Sequence, residues 1–465
     1  MGWDIETPRH SVDERKAYGK SLRESTPRWS HADWSPSPER PDPVSLIESQ
    51  NDGRLQWLVP VRRGRMIESA FTFYRGAALI MASDLSATPS TGLTAQICGD
   101  AHLSNFGAYG SAERELVFDV TDFDESLVGP WEWDLKRLAT SFTIAGRHLG
   151  FDDADIAKIT AASVRQYRAA MEQFAEQPTL DVWYANMSID DIEDFYREEG
   201  RKKRARRAQR VSKKARSRNS LQVLSKLAER VDGSYRIRSD PPGLVPLREA
   251  THVASPDELE EMARQSFDHY RESLQPDRQT LLDKFQPIDT ALKVVGVGSV
   301  GTRCLILLLE GRNEQDPLFL QVKEAGPSVL EAYLPASPHE NHGERVVQGQ
   351  RLMQASSDIF LGWSPAIDDR DYYWRQLRDW KESFDVDRAD EKDLFGYAKG
   401  CGWTLARSHA RSGDPATIDG YLGSSDTFDE AITEFAGLYA DQNESDYQWF
   451  SDAIGRGDLE VDLHG

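Results

Sequence analysis

The run Gly296-Val297-Gly298-Ser299-Val300-Gly301, taken with the residues after it, constrains this chain more than any other segment. As written it satisfies GxGxxG, but a dinucleotide site needs a helix directly after the glycines, so that the helix N-terminus faces the pyrophosphate. Here the chain continues as Thr302-Arg303-Cys304-Leu305-Ile306-Leu307-Leu308-Leu309, which is a β-type run. It turns at Glu310-Gly311-Arg312-Asn313 and extends again through Leu318-Phe319-Leu320-Gln321-Val322-Lys323. The segment predicts a hairpin, and a dehydrogenase is disfavoured.

Glycines let a backbone approach phosphate oxygens closely and aim N–H groups at them. A glycine loop between two strands, with a lysine on the next strand, is how kinase-like proteins cover a nucleotide. Gly296, Gly298, Ser299, Gly301 and Lys323 are therefore candidate nucleotide-binding residues, Lys323 as a point charge on the α and β phosphates. An acidic partner for Lys323 is expected on the following helix. Glu344 is preferred by spacing and Glu331 is the alternative.

A second segment, Gly99-Asp100-Ala101-His102-Leu103-Ser104-Asn105, precedes the glycines in the chain. Phosphoryl transfer needs a carboxylate to orient or deprotonate the nucleophile and oxygen ligands for magnesium. Asp100 suits the first task; Asn105 and an acid from Asp119-Val120-Thr121-Asp122-Phe123-Asp124 suit the second. Asp119, Asp122 and Asp124 compete, strand alternation puts 122 and 124 on one side, and Asp122, followed by an anchoring aromatic, is chosen. His102 joins Asp100 in the catalytic set as a brace of its loop, since no second histidine lies at metal-ligand spacing. Asp134 is expected to open a helix and to meet backbone amides of the Asp100 loop.

Apolar periodicity supplies the frame. Residues 1 to 65 read as an extended arm rich in Pro and Trp. Residues 66 to 150 carry a helix from Met66 to Leu85, strands at Thr94–Cys98 and Leu116–Val120, and a helix from Leu135. Residues 151 to 285 read as helical, opened by Asp152 and Asp153. Residues 286 to 380 hold a small sheet with strands at Lys293–Val297, Arg303–Leu309, Leu318–Val322 and Tyr372–Leu377, and a helix at Glu344–Gln354. Residues 381 to 465 are helical, with Leu394, Ala398, Cys401, Leu405 and His409 on one buried face and Phe428, Ile432, Phe435 and Tyr439 on another.

The net charge of −21 opposes a nucleic-acid partner. No basic start with an apolar run and no long apolar span occurs, so no membrane partner and a cytoplasmic location are expected. The three cysteines lack zinc-type spacing and read as free thiols. The basic stretch from Arg201 to Arg218 reads either as a solvated helix face or as an anion-facing patch near the site.

Gly99-Asp100-Ala101-His102-Leu103-Ser104-Asn105, Val120-Thr121-Asp122-Phe123 and Trp133-Asp134-Leu135 together resemble the catalytic stretch of aminoglycoside and choline phosphotransferases, which share the protein-kinase fold. More widely, the chain resembles the family called DUF2252, grouped with the kinase-like proteins. The likeness runs from Arg62-Arg63-Gly64-Arg65-Met66 and Phe73-Tyr74-Arg75-Gly76 through Gln350-Arg351-Leu352-Met353-Gln354 and Arg375-Gln376-Leu377-Arg378-Asp379 to Leu405-Ala406-Arg407-Ser408-His409-Ala410. The resemblance implies an α+β, protein-kinase-like two-lobed fold in permuted order: a small antiparallel β lobe and a large, mainly helical lobe. It implies Asp100 as base, Asn105 and Asp122 as Mg2+ ligands, Lys323 on the phosphates of ATP, and Tyr372–Leu377, with Gln376, beside adenine. The helix at Leu405–Ala410 resembles the one that normally leads into the catalytic loop. Cys98 replaces the usual preceding His, which removes one brace.

The expected activity is an ATP- and magnesium-dependent phosphotransferase acting on a small-molecule hydroxyl. Nucleotidyl transfer or protein modification on the same fold, and a catalytically silent nucleotide-binding regulator, are the alternatives. The permuted order predicts that the region near residue 100 meets the helix near residue 405, beside a cleft closed by Lys323.

Overall fold

The computed structural model describes residues 10–198, 202–249, 256–294, 296–365, 370–377 and 380–463. Arg201, Val295, Arg378 and Asp379 lie outside them.

Strand Pro317–Ala325 shows how sequence alternation builds the sheet. Leu318, Leu320 and Val322 face one side, where they pack with Trp374, Leu274 and Tyr270. Phe319, Gln321 and Lys323 face the other. The strand sits inside a six-stranded antiparallel sheet, in the order Gly362–Pro365, Asp371–Gln376, Pro317–Ala325, Cys304–Glu310, Gln286–Lys293, Leu244–Pro246. Helix Pro256–Glu272 covers the first face, with Tyr270 stacked on Trp374 at 4.5 Å between centroids. On the other face, register sets Lys323 opposite Tyr373 and Gln321 opposite Arg375.

The predicted hairpin is present, and no helix follows Gly301. The helix expected at Glu344–Gln354 spans His342–Met353, its N-cap Asn341 accepting a hydrogen bond from Glu344 N. The strand placed at Lys293–Val297 instead ends at Lys293 and runs from Gln286, because the glycine turn begins sooner than the apolar pattern suggests. The stretch read as helical to 285 also holds strands Ala228–Val231, Ser234–Ile237 and Leu244–Pro246, the last being the sheet's edge.

A helical body holds the other half of the molecule. Helices Trp131–His148, Asp153–Glu176, Glu391–Ala410 and Thr427–Gly455 bury the faces read from periodicity. Asp152 caps its helix through Asp155 N, as the sequence suggested. Helix Glu391–Ala410 lies close against Asp153–Glu176 at Gly402, where a Cβ would fall 2.1 Å from Ser163 O.

Two other expectations change. Met66–Leu85 is not one helix: Val59–Met66, Ala70–Gly76 and Ala78–Leu85 are separated by the Ser69–Thr72 capping box and a break at Ala77. The N-terminal part lies on the body but is not extended, since Val12–Ser21, Pro43–Ser49 and Val59–Met66 are helical. Between the first two, Arg40 clamps the proline-rich stretch by ion pairs to Asp84 at 2.7 Å and Asp446 at 2.6 Å. The chain is thus a mixed α/β protein with antiparallel sheets. Cys98, Cys304 and Cys401 are free and buried. Among the described residues no helix is long and apolar enough to cross a membrane.

Candidate functional site

The acidic segments are joined by a closed loop of β structure. Strand Thr94–Ile97 pairs antiparallel with Leu127–Pro130, Ile97 opposite Leu127. Between them Phe106–Gly110 pairs with Leu116–Val120, Phe106 opposite Val120. Asn105 immediately precedes one strand of that hairpin and Thr121 immediately follows the other, so residues 98–105 and 121–126 are forced side by side. Thr121 N donates to Asn105 O at 2.8 Å. Gly99 has φ +78°, and a Cβ there would meet Glu125 O at 2.4 Å, so only glycine lets the two loops approach this closely.

The Asp100 loop is anchored to the helical body through Asp134. Its carboxylate accepts from Cys98 N at 2.8 Å and Gly99 N at 2.9 Å. It also faces His409 Nε2 at 3.3 Å, while His409 Nδ1 lies 2.9 Å from the Tyr167 hydroxyl. The amide contact is the one expected of Asp134, but the helix opens at Trp131, one turn earlier than Asp134 itself. Through His409 the helix Glu391–Ala410 meets the region near residue 100, the contact expected from the sequence.

Asp100 Oδ1 accepts from Arg137 Nε at 2.8 Å and lies in ion-pair contact, also at 2.8 Å, with Arg137 Nη2. Oδ2 lies 3.6 Å from His102 Nε2. Burial raises the Asp100 pKa and the Arg137 guanidinium opposes it; the net direction is upward. Burial, then Arg75 and Arg137, hold His102 well below its ordinary value, so it stays neutral. Its Nδ1 accepts from Ser104 N at 3.2 Å, a bracing contact. Asn105 Nδ2 donates to Asp100 O at 2.9 Å.

Lys323, only 3% exposed, does not pair with Glu344 or Glu331. Its ammonium bonds Asp124 Oδ2 at 2.5 Å, and the Tyr373 hydroxyl bonds Asp124 Oδ1 at 2.6 Å. Glu344 sits at its helix N-terminus, 3.8 Å from His339, and Glu331 closes a capping box with Ser328. Both are held by local caps, whereas the turn at 121–126 pushes Asp124 under the lysine strand. Spacing along the chain carries no signal of this contact, and alternation says only that 122 and 124 share a side. Ser299 Oγ also reaches Asp124 Oδ2 at 3.4 Å, so the glycine segment closes over the same carboxylate. Gly296 and Gly301 take φ +68° and +90°. Arg65 Nη1 and Leu55 N grip their carbonyls at 2.8 and 2.7 Å.

Asp122, Lys323, Gly296, Ser299 and Gln376 line one cleft of about 490 Å³. The cleft also takes in Arg114, Arg218, Lys226, Lys293, Arg375 and Lys381, against Asp122 and Asp358 as the acids among the described residues. The cleft is thus cationic in a chain of net charge −21, a field that would attract anions. Sequence reading missed most of these cations because they come from separate elements. Arg218, the end of the basic stretch, lines the cleft and pairs with Glu382 at 2.7 Å, as Lys214 does at 2.6 Å, while Arg216 pairs with Asp190 at 2.5 Å. A larger cavity, about 790 Å³, is lined by Phe118, Met187, Phe384, Tyr397 and Trp403 and contains none of the predicted residues.

Asp122 is raised by burial and then by the neighbouring Asp124. Asp124 is lowered overall: burial opposes ionisation, and Lys323 outweighs it. Among the described residues no three His, Cys, Asp or Glu side chains form a metal cluster. Asn105 and Asp122 stand on the two loops joined by the Thr121 N–Asn105 O bond, and Mg2+ needs only one or two protein oxygens, completing its shell from phosphates and water. A cation there would relieve the Asp122–Asp124 repulsion.

Glu125, beside these acids, is pushed by burial from 4.5 up to about 7, against the pull of Arg345. The folded protein therefore holds this proton more tightly than the unfolded chain. Stability present below pH 4.5 is lost as pH rises through about 7. Glu125→Gln is expected to match the wild type in urea at pH 4.5 and to exceed it by about 1–3 kcal/mol at pH 8. Parallel pH profiles would contradict this.

Fold and cleft define a mixed α/β protein with a cationic cleft beside two ordered carboxylate loops. Over residues 54–453 the chain matches the model of a family described as an uncharacterized protein conserved in bacteria (DUF2252), and it belongs to that family. No curated protein and no solved structure matches it.

Proposed function

We propose that this protein is an ATP- and magnesium-dependent phosphotransferase of permuted, kinase-like architecture, acting on a small-molecule hydroxyl. The observation that carries the reading is the meeting of Lys323, the glycine segment and Asp122 in one cationic cleft, with the Asp100 loop bonded to the Asp122 loop. Glycine-segment amides, Lys323 and Arg375 would bind the phosphates. Gln376 and Leu377 form the wall where the base would lie. Mg2+, held by Asn105 and Asp122, would neutralise charge on the phosphates. The acceptor oxygen bonds to the γ-phosphorus as the bond to the β–γ bridging oxygen breaks. Asp100 Oδ2 receives the hydroxyl proton and ADP leaves. Arg137 keeps Oδ1 fixed, so Oδ2 is the oxygen free to act.

Thermal shift with ATP, ADP and NAD, each with and without magnesium, tests this. Magnesium-dependent stabilisation by ATP is expected, about 2.7 kcal/mol at a hundredfold excess over Kd. Lys323→Met should weaken ATP binding about 10- to 100-fold, the worth of a charge-assisted hydrogen bond. Asp122→Ala should abolish the magnesium dependence. Stabilisation by NAD alone would sink the reading; magnesium-dependent ATP binding without turnover of any acceptor would favour the silent regulator.

A further inference from the structure

Most of the buried arginines around the site are committed to oxygens. Arg137 holds Asp100, Arg345 holds Asp124 O and Gly326 O, and Arg54 donates to Val300 O and Gln50 O. Arg75 differs. It is partly exposed, and although its buried Nε lacks a hydrogen-bond partner as Arg345 Nε does, what sets it apart is that no nitrogen of its guanidinium makes a hydrogen bond or ion pair among the described residues; it lies over the Phe71 ring at 6.0 Å. A buried N–H left unpaired costs about 1–3 kcal/mol, so such a group is held for a ligand or stands as a defect.

Its position argues for a ligand. Arg75 ends the short helix Ala70–Gly76, directly after Tyr74. Tyr74 O accepts from Arg137 Nη2 at 2.7 Å, and the Arg137 guanidinium lies 3.8 Å from the centre of the Tyr74 ring. Arg137 is the residue that fixes Asp100. On the other side, a Cβ on Gly298 would contact Arg75 O at 3.4 Å, so the same residue lies under the glycine segment. Arg75 thus stands where the Asp100 loop and the glycine segment converge. Its charge is felt there: it draws Asp100 downward and, after burial, is the largest influence depressing His102. Asp100, Glu68 and Asp387 are the acids that face it.

We propose that Arg75 recognises an oxyanion, carboxylate or phosphate, on the acceptor, beside the hydroxyl presented to Asp100. The substrate class is then a hydroxy acid or a phosphorylated alcohol. This rests on the phosphotransferase reading for the word acceptor. The oxyanion site itself stands on the unpaired guanidinium. Arginine suits it because its planar fork bonds two oxygens at once, which lysine cannot match.

The test saturates the full-length protein with magnesium and a non-hydrolysable ATP analogue, then titrates inorganic phosphate and, separately, acetate by calorimetry. Saturable binding of one of them is expected, weakened tenfold or more in Arg75→Gln and less in Arg75→Lys. Phosphate binding would indicate a phosphorylated acceptor and acetate binding a carboxylate. No saturable binding of either, or binding unchanged by Arg75→Gln, overturns the proposal. So does Arg75→Gln weakening the analogue itself by the same factor, which would assign Arg75 to the nucleotide. If the analogue does not bind at all, the phosphotransferase reading fails. The two titrations repeated on the protein alone, with and without Arg75→Gln, then still decide the oxyanion site.

Discussion

Asp100→Asn is expected to lower kcat about 10²- to 10⁴-fold once an acceptor is in hand, the usual contribution of a positioned general base. The substitution keeps the volume and one oxygen. Asn Oδ1 can still accept from Arg137 Nε, so the side chain should stay where Asp100 stands. What it loses is the second carboxylate oxygen, the one 3.6 Å from His102, and with it any place for the acceptor's proton. Burial outweighs Arg137 in setting the Asp100 pKa, so the wild-type carboxylate is more basic than an exposed one. The acid limb of the wild-type kcat profile should therefore lie above the ordinary aspartate range and vanish in the variant. The KM for ATP should not move, since Lys323, Arg375 and Asp122 are untouched. A variant retaining more than about a tenth of wild-type kcat would remove Asp100 from the base role.

How much of this was legible depends on which contacts are local. The hairpin after the glycines is written in uninterrupted apolar strands, and its alternation places Lys323 on the cleft face. The helix faces at Leu394–His409 and Phe428–Tyr439 are legible for the same reason: periodicity reports burial directly. The joining of the two carboxylate loops could also be read, because Asn105 and Thr121 bracket one hairpin. The partner of Lys323 could not. Asp124 reaches it across a turn, and choosing among Asp124, Glu344 and Glu331 requires knowing where three loops sit relative to one sheet. Arg75 was visible only as part of a motif; that its guanidinium lacks a partner is a property of everything around it. The helical N-terminal segments were hidden by their prolines, which stand at helix starts, as Pro43 does, rather than against helices.

Arg407→Leu is expected to cost about 3–5 kcal/mol of stability, because it strands a buried carboxylate. Arg407 and Asp119 are each 1% exposed at the side chain, and their ion pair joins Nη2 to Oδ1. Arg407 Nη1 also donates to Met353 O, at the end of helix His342–Met353, and Asp119 accepts from Val120 N at 2.8 Å and Ala355 N at 3.1 Å. One pair thus ties the helix Glu391–Ala410, the strand Leu116–Val120 and the chain leaving His342–Met353. Removing the arginine leaves Asp119 with only those backbone donors. Asp119→Asn in the Arg407→Leu background should recover part of the loss, since a neutral amide needs no counter-charge. A drop below about 1 kcal/mol, or no recovery in the double variant, would show that the pair is not the tie it resembles. Asp119 lies three residues before Asp122, so Asp119→Ala would disturb the Asp122 loop through the fold. The clean comparison for Asp122→Ala is instead Asp124→Asn, which keeps the loop's shape and releases Lys323. If Asp122 alone governs magnesium, Asp124→Asn should retain the magnesium dependence of ATP binding while changing the affinity.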